Sequence, residues 1–429
     1  MTLENNVNEK NKALEELRKK FKDYLYEEAN KFEREGFYEN DKGYDTLHDI
    51  ARRDSERLNK IDDFNLSSLM VETYKIYAYN KFFEALPQLD PEKVPLAREV
   101  IAKYRSYSIV EPRHNSSEKV ISLINAGCSD IDEIIECALR EIKDYNIIKK
   151  LGEGSDGVVF HAEHALLGDV KIKIFKNNPE DKIKQAMEKE GITLEERIRR
   201  RIKLFDKKVR DKTNITQLYE VGKCLNPFHA YDEHYLTMDY VDGGAIEQKD
   251  KDGNYKIRED IAATSQENIY KILNIYRKIL NGLDKIHDAG LVLKDVKLRN
   301  ILVSYDHKTV LIDDLETIAG IEEIKAGERL TEGSDRYAAP EVIKDIKNAT
   351  NKSDAYSSGV CLLYMITRNP TLMTGINNAP EYEYERKLDK MLWEQHFSDE
   401  QYAFFSRILN YDPAIRFDVK NIQKFLYML

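Results

Sequence analysis

The stretch Leu291-Val-Leu-Lys-Asp-Val-Lys-Leu-Arg-Asn-Ile-Leu-Val303 joins a group of polar side chains to an apolar run that is typical of a strand. It carries a carboxylate at Asp295, a lysine at Lys297 and an amide at Asn300. A further carboxylate, Asp313, follows after a polar turn and a second strand-like run. Two carboxylates, an amide and a cation beside two short strands form a candidate active site.

A glycine-rich turn, Gly152-Glu-Gly154-Ser-Asp-Gly157, lies nearer the N-terminus. This spacing alone is weak, because it also marks dinucleotide sites in which the third glycine begins a helix. Here the run Val158–Phe160 continues a strand, so we predict a hairpin whose backbone can approach phosphates without Cβ obstruction. Lys173 follows in the alternating stretch Val170–Phe175, on a strand face that it shares with residues 171 and 175.

Length and composition are those of a globular chain with more than one domain. The 429 residues are 41% hydrophobic and 34% charged, which is too apolar for a disordered protein. The longest apolar run, Gly359–Ile366, is much shorter than a membrane helix needs, and the first residues contain no apolar signal segment. The net charge of −10 gives no general attraction to nucleic acid. We therefore expect no membrane span, no nucleic-acid partner and a cytoplasmic location, with export as a secreted effector left open.

The first third of the chain has helical periodicity and almost no glycine. One apolar stripe recurs every three or four residues and consists of Leu14, Leu17, Phe21, Leu25, Ala29 and Phe32. Further helices are predicted around residues 47–61, 67–85, 91–107 and 130–142. We predict an all-α domain over residues 1–143, whose stripe either packs on neighbouring helices or binds a partner protein.

Strand-like runs begin at Tyr145, and helical periodicity dominates again beyond Gly244. In this region the chain resembles the protein kinase superfamily over residues 144–429. The matching segments are Asp295–Asn300 as the catalytic loop, Asp313 as the metal-binding aspartate, Met238–Val241 as the hinge, Gly333–Glu341 as the end of the activation segment, Ser353–Val360 as the anchoring helix and Asp412–Arg416 as the site that pairs with Glu341.

The resemblance implies an α+β, bilobal protein kinase-like fold, with a β-rich N-lobe over about residues 144–241 and a helical C-lobe over about 242–429. It implies a Ser/Thr protein kinase that uses ATP and Mg²⁺, acts on protein substrates and undergoes autophosphorylation. Lys297 in the catalytic loop is the serine/threonine-type feature.

The resemblance also assigns roles to individual side chains. Asp295 would accept the proton of the substrate hydroxyl, Lys297 would neutralise the transferring phosphoryl group, and Lys173 would hold the ATP phosphates. Asn300 and Asp313 would bind Mg²⁺. The remaining nucleotide contacts are assigned to Gly152, Gly154, Gly157, Val159, Met238, Tyr240 and Leu302. The family's glutamate partner for Lys173 is expected on the next helix at Glu195, with Glu188, Glu190 and Glu196 as alternatives.

Three positions depart from the family pattern. Leu293 and Lys294 stand where the family has His-Arg, Asp314 and Leu315 stand where it has Phe-Gly, and Lys171 replaces the small residue above the adenine. An alternative register would make Asp314 the metal ligand and Leu315 the packing residue, but the thirteen-residue spacing from Asn300 favours Asp313.

The alternatives to a protein kinase are a scaffold without turnover and a small-molecule kinase. Thr331 is the predicted site of activating phosphorylation, and the alternative is an unmodified segment that is ordered by packing.

Overall fold

The computed structural model describes residues 89–106, 116–140, 142–154, 157–176, 194–225, 232–250, 253–262, 266–325 and 336–428. The apolar stripe, the helices predicted before residue 89, and Thr331 lie outside these ranges. The chain divides into two compact units, residues 1–150 with 224–232, and residues 151–223 with 233–429.

In the first unit, the described residues form three helices, α1 (Val94–Ser106), α2 (Ser116–Asn125) and α3 (Ile131–Leu139). A 3₁₀ turn, Pro91–Lys93, precedes α1. The helices predicted around 91–107 and 130–142 are confirmed, whereas α2 is an addition to the prediction. Asp130 caps α3 by accepting a hydrogen bond from the Glu133 amide at 2.8 Å. Their apolar faces meet in a core that includes Val100, Ile124 and Ile134.

A five-stranded sheet follows, and the predicted β-rich lobe is confirmed. Its strands are β1 (Tyr145–Glu153), β2 (Gly157–His164), β3 (Gly168–Phe175), β4 (Leu218–Leu225) and β5 (Asp232–Asp239), in the spatial order β1-β2-β3-β5-β4. Helix α4 (Leu194–Lys208) lies between β3 and β4 in the chain. Gly157 has no room for a side chain, because a Cβ there would lie 2.3 Å from the Ile174 carbonyl oxygen.

The remainder is mainly helical and forms the predicted C-lobe. The helices are α5 (Gln266–Asp288), α6 (Ile321–Lys325), α7 (Pro340–Lys344), α8 (Asn351–Thr367), α9 (Glu381–Glu394), α10 (Asp399–Ile408) and α11 (Val419–Met428). Helix α8 is buried on almost every side and has little amphipathic character, as expected for a helix at the centre of a lobe. No helix in the described ranges is long and apolar enough to cross a membrane.

Short strands interrupt the helices. The predicted pair β9 (Ile301–Val303) and β10 (Val310–Ile312) is confirmed as an antiparallel hairpin. Two further pairs were not predicted, β6 (Glu247–Lys249) with β7 (Tyr255–Ile257), and β8 (Leu291–Val292) with β11 (Ala319–Gly320). Unlike β9 and β10, the strands β6, β7 and β11 contain no run of large apolar residues, and they are too short for a period-two pattern.

Candidate active site

The loop before β9 is held in place by the central helix. The buried carboxylate of Asp354 in α8 accepts hydrogen bonds from the backbone amides of Leu293 at 2.8 Å and Lys294 at 2.9 Å. It also contacts His287 Nε2 at 2.9 Å. Lys294 has a φ of 71°, in the left-handed region that non-glycine residues rarely adopt. Helix α8 therefore fixes a sharp turn of the backbone immediately before Asp295.

Two predicted catalytic residues, Asp295 and Lys297, and the predicted metal ligand Asn300 lie together after this turn. Lys297 Nζ contacts Asp295 Oδ2 at 2.5 Å. Asn300 Nδ2 donates a hydrogen bond to the Asp295 backbone oxygen at 3.0 Å and lies 3.4 Å from Asp295 Oδ2. The Asp295 side chain is thus oriented by a cation and its backbone by an amide, and the residue is half-buried.

Lys173 lies in β3 and meets two carboxylates from the segment after β10. Its Nζ lies 2.8 Å from Asp314 Oδ1 and 3.1 Å from Glu316 Oε1. Asn300 Nδ2 lies 3.3 Å from Asp314 Oδ2, so Asp314 connects the catalytic loop to Lys173.

The charges of this cluster depend on one another. Burial opposes the charge on Lys173, but the carboxylates of Asp314 and Glu316 outweigh it and raise the pKa of the lysine well above its usual value. Burial likewise opposes ionisation of Asp314, yet the Lys173 ammonium lowers the pKa of that carboxyl below its usual range. Burial and the neighbouring Asp314 charge raise the pKa of Glu316 to about 7, against the attraction of Lys173. Asp314 is therefore the ionised partner of Lys173 at neutral pH.

Lys171 and Asp313 form a second ion pair between the same two segments. Lys171 Nζ contacts Asp313 Oδ2, and the two side chains are only 9% and 13% exposed. The other carboxylate oxygen, Asp313 Oδ1, is buried and has no hydrogen-bond partner among the described residues.

The two neighbouring aspartates have different partners, and the metal-binding role of either one stays a prediction. Asp314, not the predicted Asp313, lies between Lys173 and Asn300. Leu315 is buried and lines a small pocket with Ile198 and Phe205 of α4, which is the packing role expected of the residue after the metal ligand. The left-handed backbone of Asp314, with a φ of 62°, turns its side chain away from that of Asp313.

The predicted nucleotide contacts lie around the same face of the sheet. Val159 is opposite Lys173 in the β2–β3 register, and Met238 is opposite Lys171 in the β3–β5 register. Leu302 is buried in β9. Tyr240 follows β5 and stacks on the His161 ring, with a centroid distance of 3.8 Å and an interplanar angle of 4°.

The glycine-rich turn is closed by its own backbone. The Gly154 amide donates a hydrogen bond to the Gly157 carbonyl at 2.9 Å, which confirms the predicted hairpin. Lys176 Nζ lies 2.5 Å from Glu153 Oε1 and donates to the Gly154 carbonyl at 3.1 Å. Gly152 and Gly154 have open space where a side chain would lie.

The predicted partner of Lys173 stays a prediction. Glu195 lies in the first turn of α4, but its side chain is outside the described part of the structure. Glu316 is a residue that the sequence analysis missed. Its one sequence signal is its place three residues after Asp313 in the acidic run Asp313-Asp-Leu-Glu316, which says nothing about a lysine on a distant strand.

The predicted pair between Glu341 and Arg416 is confirmed. Arg416 Nη1 and Nη2 donate to Glu341 Oε1 at 2.6 Å and Oε2 at 2.9 Å, and the arginine side chain is fully buried. Arg416 also lies over the Tyr356 ring of α8, 4.9 Å from its centroid. The pair joins α7, at the end of the activation segment, to the loop before α11.

The protein kinase domain family matches residues 145–428, in agreement with the β-rich and helical lobes and with the cluster of polar residues between them. The chain belongs to the protein kinase family, and helices α1–α3 precede its kinase domain.

The curated relatives of the chain described below are named as protein kinases, and two of the three are named as serine/threonine kinases. The probable serine/threonine-protein kinase PknB of Lactococcus lactis subsp. lactis is 29% identical over 228 residues, which are 52% of this chain and 31% of that protein. CBL-interacting serine/threonine-protein kinase 15 of Arabidopsis thaliana is 28% identical over 226 residues, which are 52% of this chain and 46% of the relative. CBL-interacting protein kinase 10 of Oryza sativa subsp. japonica is 27% identical over 289 residues, or 66% of this chain and 56% of the relative. The chain thus spans between about a third and just over half the length of these relatives.

Proposed function

We propose that this kinase domain transfers the γ-phosphoryl group of ATP, with Mg²⁺, to serine or threonine hydroxyls of protein substrates, its own included. The observation that carries the proposal is one continuous set of contacts that runs from Lys297 through Asp295, Asn300 and Asp314 to Lys173. The names of the relatives support the serine/threonine class.

The set of contacts contains the groups that the chemistry needs. Phosphoryl transfer passes through a loose transition state, so catalysis consists of positioning and charge stabilisation. The oriented Asp295 carboxylate is suited to hold a substrate hydroxyl and accept its proton. Lys297, 2.5 Å from that carboxylate, is close enough to stabilise charge on the group being transferred. Lys173 supplies a second cation on the opposite side, for the phosphates that stay behind.

The oxygen donors for a metal are present on the same set of contacts. Mg²⁺ is usually held by one or two protein side chains while phosphates and waters complete its coordination. Asn300 Nδ2 lies 3.3 Å from Asp314 Oδ2, so the two side chains are neighbours, and the amide oxygen of Asn300 and the carboxylate of Asp314 are the oxygen donors that fit this requirement. Among the described residues no group of three His, Cys, Asp or Glu could form an all-protein cage. We therefore assign Asn300 and Asp314 to the metal, in place of Asn300 and Asp313; the bound ion would neutralise charge on the phosphate oxygens.

The test is a radiolabelled ATP assay on the full chain with Mg²⁺, offered generic protein substrates and then small alcohols. Asp295→Asn should lower the rate by about 10²- to 10³-fold, because one preorganised electrostatic contact is lost. Asp288→Asn, at an exposed aspartate at the end of α5, is the matched control and should behave as wild type. Asp314→Asn should be more damaging than Asp313→Asn if the metal assignment is right.

The outcomes separate the candidate functions. Radiolabel on serine or threonine that wild type produces and Asp295→Asn does not produce supports the proposal. Label on small alcohols alone indicates a small-molecule kinase. Nucleotide binding without any label indicates a scaffold, and undiminished labelling by Asp295→Asn removes that residue from the mechanism.

A further inference from the structure

Two arginines meet one buried carboxylate beside the catalytic loop. Glu247 lies in β6, and its side chain is only 1% exposed. Arg336 Nη1 donates to Glu247 Oε1 at 2.8 Å, and Arg299 Nε lies 3.6 Å from Glu247 Oε2. The proposed phosphoryl-transfer machinery uses none of these three residues, which we call the Glu247 cluster.

The backbone joins the Glu247 cluster to the catalytic loop. Arg299 belongs to the same tight turn as Lys297 and Asn300, which the Asn300 backbone amide closes by donating to the Lys297 carbonyl at 2.9 Å. The Ile246 amide donates to the Ile301 carbonyl at 2.9 Å, so the start of β6 is bonded to the strand that follows this turn. The cluster is therefore held in a fixed position relative to the turn.

A buried thiol shows that the cluster is also close to the proposed catalytic base. Burial raises the pKa of Cys361 in α8 well above its usual value, and the Glu247 and Asp295 carboxylates raise it further. One side chain is thus within electrostatic range of both carboxylates. A substrate whose hydroxyl lies at Asp295 therefore has its neighbouring residues near the two arginines.

The three charges of the cluster are not equally buried. The Glu247 side chain is 1% exposed, whereas the side chains of Arg299 and Arg336 are 32% and 33% exposed. The carboxylate lies inside the protein and the guanidinium groups reach its surface, so the exposed part of the cluster is cationic. A guanidinium carries five N–H donors in a planar fork, and each arginine can therefore contact Glu247 and a second anion.

Aromatic rings hold both guanidinium groups in place. Arg299 Cζ lies 4.3 Å from the centroid of the Tyr255 ring in β7, and Arg336 Cζ lies 5.9 Å from that of Tyr337. The Tyr337 hydroxyl donates in turn to Glu247 Oε2 at 3.2 Å. An arginine that is already ordered loses less side-chain entropy when it binds an anion than a free surface arginine does.

We propose that Arg299 and Arg336 bind an anionic residue of the protein substrate close to the phosphoacceptor, and that this kinase selects acidic or already phosphorylated sequences. The substrate oxyanion accepts charge-assisted hydrogen bonds from the exposed guanidinium N–H groups. A lysine or arginine at the same substrate position is repelled. The inference rests on the proposed function, because it takes from it the position of the acceptor hydroxyl at Asp295.

The test is a kinase assay of the full chain with Mg²⁺, radiolabelled ATP and a set of peptides. Each peptide carries one acceptor serine in a neutral background and has aspartate, asparagine, arginine or phosphoserine at one flanking position at a time. At one or more positions, wild type should show a kcat/KM about 5- to 10-fold higher for aspartate than for asparagine, as expected of a partly exposed charge-assisted contact. The difference should lie mainly in KM, because the contact is the same in the ground state and the transition state.

Variants assign this preference to the two arginines. Arg299→Gln and Arg336→Gln should each reduce it, and the double variant should treat the aspartate and asparagine peptides alike to within about twofold. Arg299→Glu should favour the arginine peptide over the aspartate peptide. Each preference is a ratio of two peptides measured on one protein, so a loss of folded enzyme does not change it. Arg407→Gln, at an exposed arginine of α10, is the matched control and should keep the wild-type preference.

The same peptides distinguish the two sources of the anion. Phosphoserine carries about −1.5 to −2 charges at neutral pH, more than a carboxylate does. A phosphoserine peptide that is a better substrate than the aspartate peptide indicates a kinase that acts on sites already phosphorylated nearby. An aspartate peptide that is as good or better indicates a kinase of acidic sequences. Either result supports the inference when the double variant abolishes the preference.

The failures can be told apart. Wild type that labels the aspartate, asparagine and arginine peptides equally at every position overturns this inference and leaves the proposed function intact. A preference for aspartate that survives in the double variant also overturns it, because other groups would then recognise the anion. A wild-type preference for arginine overturns it as well, because Glu247 would then be the recognising group. Labelling of no peptide refutes the proposed function, and the inference falls with it.

Discussion

Replacing the buried Arg416 by alanine should strongly destabilise the kinase domain. The side chain is fully buried, donates two hydrogen bonds to Glu341, and donates three more to the backbone carbonyls of Asn410, Lys352 and Tyr411. Its loss leaves the Glu341 carboxylate without this counter-charge and removes one donor from each of the three carbonyls. Breaking a buried pair in this way costs about 3 to 5 kcal/mol.

This cost converts into a melting shift that is easily measured. Unfolding entropy is about 2.1 cal/mol/K per residue, so a domain of roughly 285 residues loses about 5 to 8 °C in Tm for 3 to 5 kcal/mol. Differential scanning calorimetry of the full chain, wild type against Arg416→Ala, measures the shift. Arg407→Ala, at an exposed arginine of α10, is the matched control and should shift Tm little.

A double-mutant cycle distinguishes the ion pair from the other contacts of Arg416. The cycle of Arg416→Ala, Glu341→Ala and the double variant should give a coupling free energy of about 2 kcal/mol. Residues in one hydrogen-bond network usually couple by roughly 0.5 to 3 kcal/mol. Additive effects, or a Tm for Arg416→Ala within about 1 °C of the control, would refute the reasoning that the pair is buried and mutually dependent.

Two further predictions concern the network around the active site. Asp354→Asn should lower the free energy of unfolding by about 1 to 3 kcal/mol and reduce phosphoryl transfer, because the single oxygen of an amide cannot replace both carboxylate oxygens that accept from the Leu293 and Lys294 amides. Urea unfolding and a kinase assay measure the two effects. Wild-type values in either measurement would contradict the anchoring role of α8. Glu316→Gln should become more stable relative to wild type as pH rises from about 5 to about 7.5. The pKa of Glu316 is raised from 4.5 to about 7 on folding, so the folded state binds more protons in this window and wild-type stability falls as pH rises through it. Urea unfolding of both proteins at the two pH values measures this change in relative stability. If the difference in unfolding free energy between Glu316→Gln and wild type is the same at both pH values, Glu316 does not titrate between them. The lowered pKa of Asp314 affects stability only below this pH range.

Local patterns in the sequence were enough to predict much of the fold. The alternation in Val170–Phe175 predicted β3, and apolar runs predicted β9 and β10. The glycine spacing with a following strand predicted the hairpin that Gly154 and Gly157 close. These features depend on residues close together in the chain, whose periodicity reports directly on local structure. The short pairs β6–β7 and β8–β11 carry no such period and were missed.

The sequence by itself determined which residue types meet in the active site, because Asp295, Lys297 and Asn300 lie within one short loop whose order alone brings them together. Only the tertiary structure decided which carboxylates face the lysines of β3. Lys171 and Lys173 are more than 130 residues from Asp313, Asp314 and Glu316, and neighbouring aspartates are equivalent in a sequence pattern. The left-handed turn at Asp314 sends the two side chains to different partners, one toward Asn300 and Lys173 and the other toward Lys171. Non-glycine residues rarely adopt this backbone conformation, and no spacing in the sequence specifies it.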